Sequence, residues 1–328
     1  MAKAAEDDAA RANPTRAFVA NTVRIAIAIV LLALLYYFRV IDIGALHALW
    51  TQPGILALAL VLSLANIPLE GLRWHVLLRA QGLDLPLGRT IRILASSMFF
   101  ANFLPGAAGG DLIRGVYVYK AARGRRAPAL LSILIDRLLG LIAFVIIGLF
   151  ALLTRPALEG RLFVAALIVV STLFIILLAV LFLFGDRLSR TLQRLTARRS
   201  TTLTRIVGDT GAALRQYGKD WRSTGLALLL SAVIVALAVG PLMLIAVAMP
   251  FPGPSAVDYG IAGLYALIVN SLPITPGGIG IGEGAFASAC VMLAPTAARA
   301  AFGTIFLAFR CVFILSTLPG LAIYLHDA

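Results

Sequence analysis

Six apolar runs, near residues 23–40, 54–72, 129–153, 162–184, 223–249 and 301–325, alternate with connections crowded with arginine. A helix rises about 1.5 Å per residue, so about 20 apolar residues cross a hydrocarbon core of about 30 Å. Runs of that length commit the chain to helices in a bilayer, because lipid offers no partner to an unpaired backbone amide. Composition agrees: 61% of the 328 residues are hydrophobic and 13% charged, against roughly half and roughly a quarter in soluble domains. The first run follows a polar stretch holding Glu6, Asp7 and Asp8. It lacks a small-x-small cleavage site and reads as a retained span preceded by a cytoplasmic tail, residues 1–22.

The net charge of +13 would suit nucleic acid on a soluble basic face, but these cations lie in the connections. They read as a topology signal, and no nucleic-acid partner is expected. Lys and Arg gather in residues 1–24, in 73–92 (Arg73, Arg79, Arg89, Arg92), in 120–126 and in 187–222, whereas the other connections hold Arg39, Arg155, Arg161 and Arg299. The four clusters, and with them both termini, are expected in the cytoplasm. The basic linker 185–222 is expected to lie along the anionic inner leaflet. Trp74 and Trp221 fit an interfacial belt and are given no site role.

This charge pattern constrains two further segments. NFLPGAAGGDLIRG at 102–115 and NSLPITPGGIGIGEG at 270–284 both open with Asn-x-Leu-Pro, run into glycine and then place a carboxylate, Asp111 or Glu283. A single crossing between Arg92 and Lys120 would put the next basic cluster on the wrong face, so the chain must return. Pro105 and Gly106 break the stretch into two arms of about fourteen residues, each about 21 Å as helix and too short to span. Proline loses a helical donor and clashes with the preceding turn, while glycine permits reversal. The second phrase is expected to return likewise from the opposite face, through arms near 259–275 and 277–294 that are long enough for a full crossing.

The predicted fold is an all-α, polytopic membrane protein with about six full transmembrane helices plus two re-entrant helical hairpins. It forms one membrane domain, 23–325, in an inverted-topology repeat: a first repeat at about 23–153 and a second at about 162–325. In transporters built this way, broken helices meet near the midplane. Arg137, after the first hairpin, and Arg310, after the second, occupy matching places.

Both turns are expected to line a wet cavity, since irregular backbone at membrane depth needs protein or water around it. The candidate substrate-binding residues are Asn102, Pro105, Gly106, Asp111, Arg114, Asp136, Arg137, Asn270, Pro273, Pro276, Gly277, Gly278, Glu283 and Arg310. Glycine-rich turns expose amides that suit phosphate or carboxylate. Arg310 lies nearest a span centre and is the leading candidate to attract a headgroup phosphate with Arg137, while Asp136, Asp111 or Glu283 balance them or carry protons. Structural ion pairing is the competing role for the whole set, because buried charges pair or face water. Glu70 and Arg114, nearer the cytoplasmic boundary, suit either role.

No catalytic, metal or cofactor site is expected. Cys290 and Cys311 lack C-x-x-C spacing. No P-loop, H-E-x-x-H or G-x-S-x-G occurs, and GIGEGA at 280–285 only imitates a dinucleotide fingerprint.

The chain resembles the flippase-like membrane-domain family named after lysylphosphatidylglycerol synthase. The likeness rests on NFLPGAAGGDLIRG, on DRLLGL at 136–141, on LPITPGGIGIGEGAF followed by Arg310, and on LPG at 318–320; it runs from about residue 20. It implies movement of an anionic, amino-modified, isoprenoid or glycosylated lipid across a bacterial inner membrane, with membrane lipids as partners and an anionic headgroup as substrate. A homo-oligomer or a separate lipid-synthesising enzyme is compatible with it. Synthesis of lysylphosphatidylglycerol is not implied, because members that make it carry a soluble transferase domain after the membrane part, expected to be missing here. The first motif, GAAGGD, is also looser than the family's glycine turn. Two rivals remain: a membrane-embedded transferase on a lipid-linked substrate, and a non-transporting partner of a lipid enzyme.

Overall fold

A computed structural model describes residues 44–102, 108–122, 126–153, 219–249, 253–271, 277–297 and 301–327, with isolated positions beside them. The expected spans at 23–40 and 162–184 and most of the basic linker lie outside these residues, apart from a few positions near 29–37 that are helical. Among the described residues the chain is all helix. After a short helical turn at Gly44–Leu46 and His47–Trp50 come α1 (Pro53–Ala80), α2 (Leu87–Ala101), α3 (Ala108–Ala121) and α4 (Arg126–Leu153). The second half follows with α5 (Trp221–Ala248), α6 (Ala256–Asn270), α7 (Ile281–Leu293) and α8 (Gly303–Asp327).

Four of these, α1, α4, α5 and α8, are long and apolar enough to cross a membrane. Two of them start on a signal the sequence carries: Pro53 opens α1, and the Asp220 carboxylate caps α5 by accepting from Ser223 N at 3.2 Å. Proline fits a first turn because its missing donor has no helical acceptor there, and a capping carboxylate serves an amide that also lacks one. Outward-facing Leu58, Val61, Leu229, Val233 and Leu315 are exposed, a surface that only acyl tails cover without cost. Helix α1 runs past the expected end at 72 to Ala80, because Arg73 is tolerated inside it, as described below.

The paired short helices are α2 with α3 and α6 with α7, packed against each other in each half. With 15, 14, 15 and 13 residues each is about 20 Å long, well below a bilayer core. The second pair is therefore shorter than the arms expected from sequence. A capping box at Ser255 and Asp258 starts α6 slightly before the expected 259, but the helix stops at Asn270, and the glycine turn at Gly277–Gly280 delays α7 to Ile281.

Exchanging the halves, so that α1 takes the place of α5, α2 of α6, α3 of α7 and α4 of α8, maps each principal helix contact onto another. Helices α1 and α5 pack on each other at the centre. The contact of α2 with α8 is matched by α6 with α4, and that of α1 with α8 by α5 with α4. Each half also has its own core. Trp74, Leu78, Ile93, Val118 and Ile133 fill the first, and Ile245, Phe286, Phe302, Phe306 and Phe309 lie in the second. Smaller clusters around Ile135 and Val235 join them. Just ahead of α5, the buried Tyr217 phenol donates to Leu77 O at 3.1 Å; burial raises its pKa, so it stays protonated.

Candidate functional site

The two glycine phrases meet. Asn102 lies at the C-terminal end of α2 and Asn270 is the last residue of α6, so the repeated Asn marks the same place in each half. Gly277 has φ +57°, and a Cβ there would lie 2.9 Å from Asn102 O. Only glycine adopts this backbone easily and leaves room for the neighbouring main chain. The Asn102 amide donates to Met98 O at 3.2 Å and to Thr317 Oγ1 on α8 at 3.0 Å, which fastens the first turn to the second half.

Arg310 closes the second turn. Its Nε donates to Glu283 Oε1 at 2.6 Å; its Nη2 donates to Asn270 Oδ1 at 3.0 Å, Gly278 O at 3.1 Å and Glu283 Oε2 at 3.2 Å; its Nη1 donates to Gly277 O. Glu283, at the third position of α7, also accepts from Gly280 N at 2.7 Å. An acid reaching back to the first free amide is how a helix start is satisfied without water. The guanidinium fork reads two carbonyls, an amide and a carboxylate at once, which a lysine could not do. Phe306 lies 5.5 Å beneath it. Arg310, the leading headgroup candidate from sequence, thus spends its donors on the turn.

The first half repeats the device with a different outcome. Arg137 grips Asp111 through Nε at 2.9 Å and Nη2 at 3.1 Å. The carboxylate again stands near the start of the second arm, 26 residues before its arginine; Glu283 precedes Arg310 by 27. The side chains of Asp111 and Arg137 are 23% and 47% exposed, against 0% and 10% for Glu283 and Arg310. One pair is sealed and the other is open.

Behind the open pair runs a buried chain of charges. Asp136 accepts from Arg73 Nε at 2.8 Å and from Arg114 Nη2 at 3.0 Å, and Arg73 Nη1 donates to Ser231 Oγ on α5 at 3.0 Å. Arg114 lies 4.1 Å over the Trp74 ring, whose Nε1 donates to Ser132 Oγ at 3.0 Å. This corrects two sequence readings. Arg73 is no loop cation but a buried link between α1, α4 and α5, and Trp74 is no belt residue but the buried floor under Arg114. Both were missed because the hydropathy run stops at the first arginine. The signal was present as Ser63, Asn66, Glu70 and Arg73, whose spacing of three and four puts them on one helical face. Trp221 is exposed beside Arg222.

A cavity of about 260 Å³ lies where these parts converge, near the lower end of ligand-pocket sizes, about 300–1,000 Å³. Its wall takes Ser63, Asn66 and Glu70 from α1, Ser97 and Asn102 from the end of α2, Arg114 from α3 and Arg137 from α4. Asn270, Ser271 and Gly277 come from the second half, with Phe144, Phe309 and Phe313 supplying apolar surface. Of the fourteen candidates, Asn102, Arg114, Arg137, Asn270 and Gly277 line it. Asp111 and Asp136 support its arginines, and Gly278, Glu283 and Arg310 build the turn behind Gly277. Pro105, Gly106, Pro273 and Pro276 lie outside the described residues. Among the described residues no group of three His, Cys, Asp or Glu gathers as metal ligands would. The GIGEGA segment leads into the N-terminus of α7, with no strand before it among the described residues.

Among curated proteins, none matches the chain significantly. The family model for the lysylphosphatidylglycerol synthase TM region matches residues 21–320, a stretch that includes both glycine phrases, all eight helices except the end of α8, and the whole cavity wall. This chain is an all-helical, membrane-embedded protein that belongs to the family of lysylphosphatidylglycerol synthase transmembrane regions.

Proposed function

We propose that this protein moves the polar headgroup of a membrane lipid between the leaflets of a bacterial inner membrane, through the cavity where its two halves meet. The observation that carries this reading is the meeting of Gly277 with Asn102 beside an open Asp111–Arg137 pair. It puts hydrogen-bonding and charged groups in the middle of a molecule whose outer surface is apolar. Polar groups at such depth are costly unless paired or facing water. The mutual exchange of helix contacts between the halves supports an inverted-topology repeat, and the short paired helices support two re-entrant hairpins. Alternating access follows from that architecture: each half rocks about the junction while the tails stay in the bilayer. Arg137 holds the headgroup phosphate, Asn102 and Asn270 bond its polar atoms, and Arg310 holds the second turn in shape. Both termini face the cytoplasm in this arrangement.

The test is reconstitution of the purified chain alone into vesicles carrying a fluorescent phospholipid, with leaflet exchange read by chemical quenching. Exchange above that of empty vesicles is expected, slowed at least tenfold by Arg137→Gln. Absence of exchange, with a lipid whose mass changes when a donor is supplied, would favour the transferase reading. Lipid profiling of each leaflet after deletion identifies the species to reconstitute.

A further inference from the structure

Four carboxylates stand on or behind the cavity wall, and three are gripped by arginine. Asp111 is held by Arg137, Asp136 by Arg73 and Arg114, and Glu283 by Arg310. Glu70 is the exception. It lines the cavity, part-buried, and accepts from the Asn66 amide at 3.0 Å, with no arginine or lysine at salt-bridge distance among the described residues. The charges that act on it through space are Arg73 on its own helix, Asp136 and Arg137 on α4, and Arg114 on α3. The residues that α2, α5, α6 and α8 give to the cavity wall are neutral.

Charge counting gives this exception a role. Arg73, Arg114 and Arg137 share the region with Glu70, Asp111 and Asp136, so the set is neutral when all six are ionised. A phosphate diester that docks on Arg137 adds one negative charge, and a net charge at such depth is expensive. One proton restores neutrality. Docking loosens Asp111 from Arg137, yet Asp111 keeps Arg114 at 3.7 Å and has a side chain 23% exposed. A neighbouring guanidinium favours the ionised carboxylate, whereas an amide donor brings no charge to do so. Glu70 is therefore the carboxylate with least to lose by taking that proton.

We propose that Glu70 is the proton-binding residue of this cavity, ionised while no headgroup is docked and protonated from water when an anionic phosphate docks on Arg137. The carboxylate becomes a carboxylic acid, three cations then face two carboxylates and one phosphate, and lipid and proton cross together. The proposal rests on the cavity being the headgroup site and adds the ion that moves with the lipid.

Calorimetry on the purified protein in detergent, repeated in buffers of different ionisation enthalpy, counts the protons taken up per lipid bound. The probes are short-chain phosphatidylglycerol, which carries one negative charge, and short-chain phosphatidylcholine, which carries no net charge. Uptake of about one proton is expected with the first and none with the second. Because the complex holds the extra proton, affinity for phosphatidylglycerol is highest in acid and falls by up to about tenfold per pH unit as pH rises. Glu70→Gln imitates the protonated state and is expected to bind phosphatidylglycerol without proton uptake or pH dependence, with melting temperature as the folding control; Glu70→Asp should keep both. In vesicles, a pH gradient should drive a fluorescent phosphatidylglycerol toward the alkaline side with no sodium present. Equal proton counts for the two lipids, undiminished uptake in a folded Glu70→Gln protein, or exchange driven by a sodium gradient and not by pH would overturn the role of Glu70. The wild-type series decides the question even where the variants fail to fold. Leaflet exchange that ignores the pH gradient removes the coupling alone; proton-linked binding without exchange removes the transport reading alone.

Discussion

Glu283 and Arg310 share hydrogen bonds of 2.6 and 3.2 Å within the turn that Arg310 itself closes, whereas the matching Asp111 and Arg137 meet at 2.9 and 3.1 Å on the open wall of the cavity. The same two residue types therefore do different work in the two halves. Removing one member of a sealed pair strands the other charge, at a cost of about 3–5 kcal/mol. Arg310→Gln is expected to lower folded yield and melting temperature sharply, with the Glu283→Gln/Arg310→Gln double variant recovering part of the loss. A fully stable Arg310→Gln protein would show that the pair does not hold the turn.

The open pair behaves otherwise. Exposed ion pairs contribute about 0–1 kcal/mol, so Arg137→Gln should leave the melting temperature within a few degrees of wild type while leaflet exchange falls. A large drop in stability with exchange per folded molecule intact would reverse the roles given to the two arginines.

Arg73 ties α1 to α4 and α5 through Asp136 and Ser231. Arg73→Met leaves Asp136 with Arg114 as its remaining charge partner and is expected to cost about 3 kcal/mol. Arg73→Lys keeps the charge but not the fork, and should recover only part of it. Denaturant titration in detergent reads both.

Helices α2 and α8 cross where Gly320 meets the main chain of Ala95; a Cβ at 320 would lie 2.1 Å from Ala95 O. Gly320→Val must push the helices apart, with a cost of at least about 1–3 kcal/mol. Cysteines placed across the crossing should cross-link less readily in that variant than in the parent.

Trp74 is buried beneath Arg114 while Trp50 and Trp221 are exposed. Trp74→Phe should therefore remove the part of the tryptophan emission that acrylamide and brominated lipid leave unquenched. Loss of the quenchable part instead would place Trp74 at the surface.

The long spans were legible because length and apolarity are written residue by residue, and α4, α5 and α8 begin and end within a few residues of the expected limits. The breaks were legible because proline and glycine act locally. The charge network was not, since Arg73 finds Asp136 across 63 residues, and a hydropathy window treats any arginine as the end of a span. Nor was the contrast between the two carboxylate–arginine pairs. Spacings of 26 and 27 look alike, and only the packing of Phe306 and the glycine carbonyls around Arg310 makes one of them private. The candidate list includes five residues of the cavity wall and ranks Arg310 above Arg137, the reverse of the order of their exposure.

Where the two glycine phrases meet, one contact is between main chains: Gly277 rests against the carbonyl of Asn102. Such a junction is indifferent to the identity of the side chains around it. Descendants of this chain can exchange Glu70, Asn66 or Arg137 and keep the two turns in register, provided the one missing methyl at 277 stays missing.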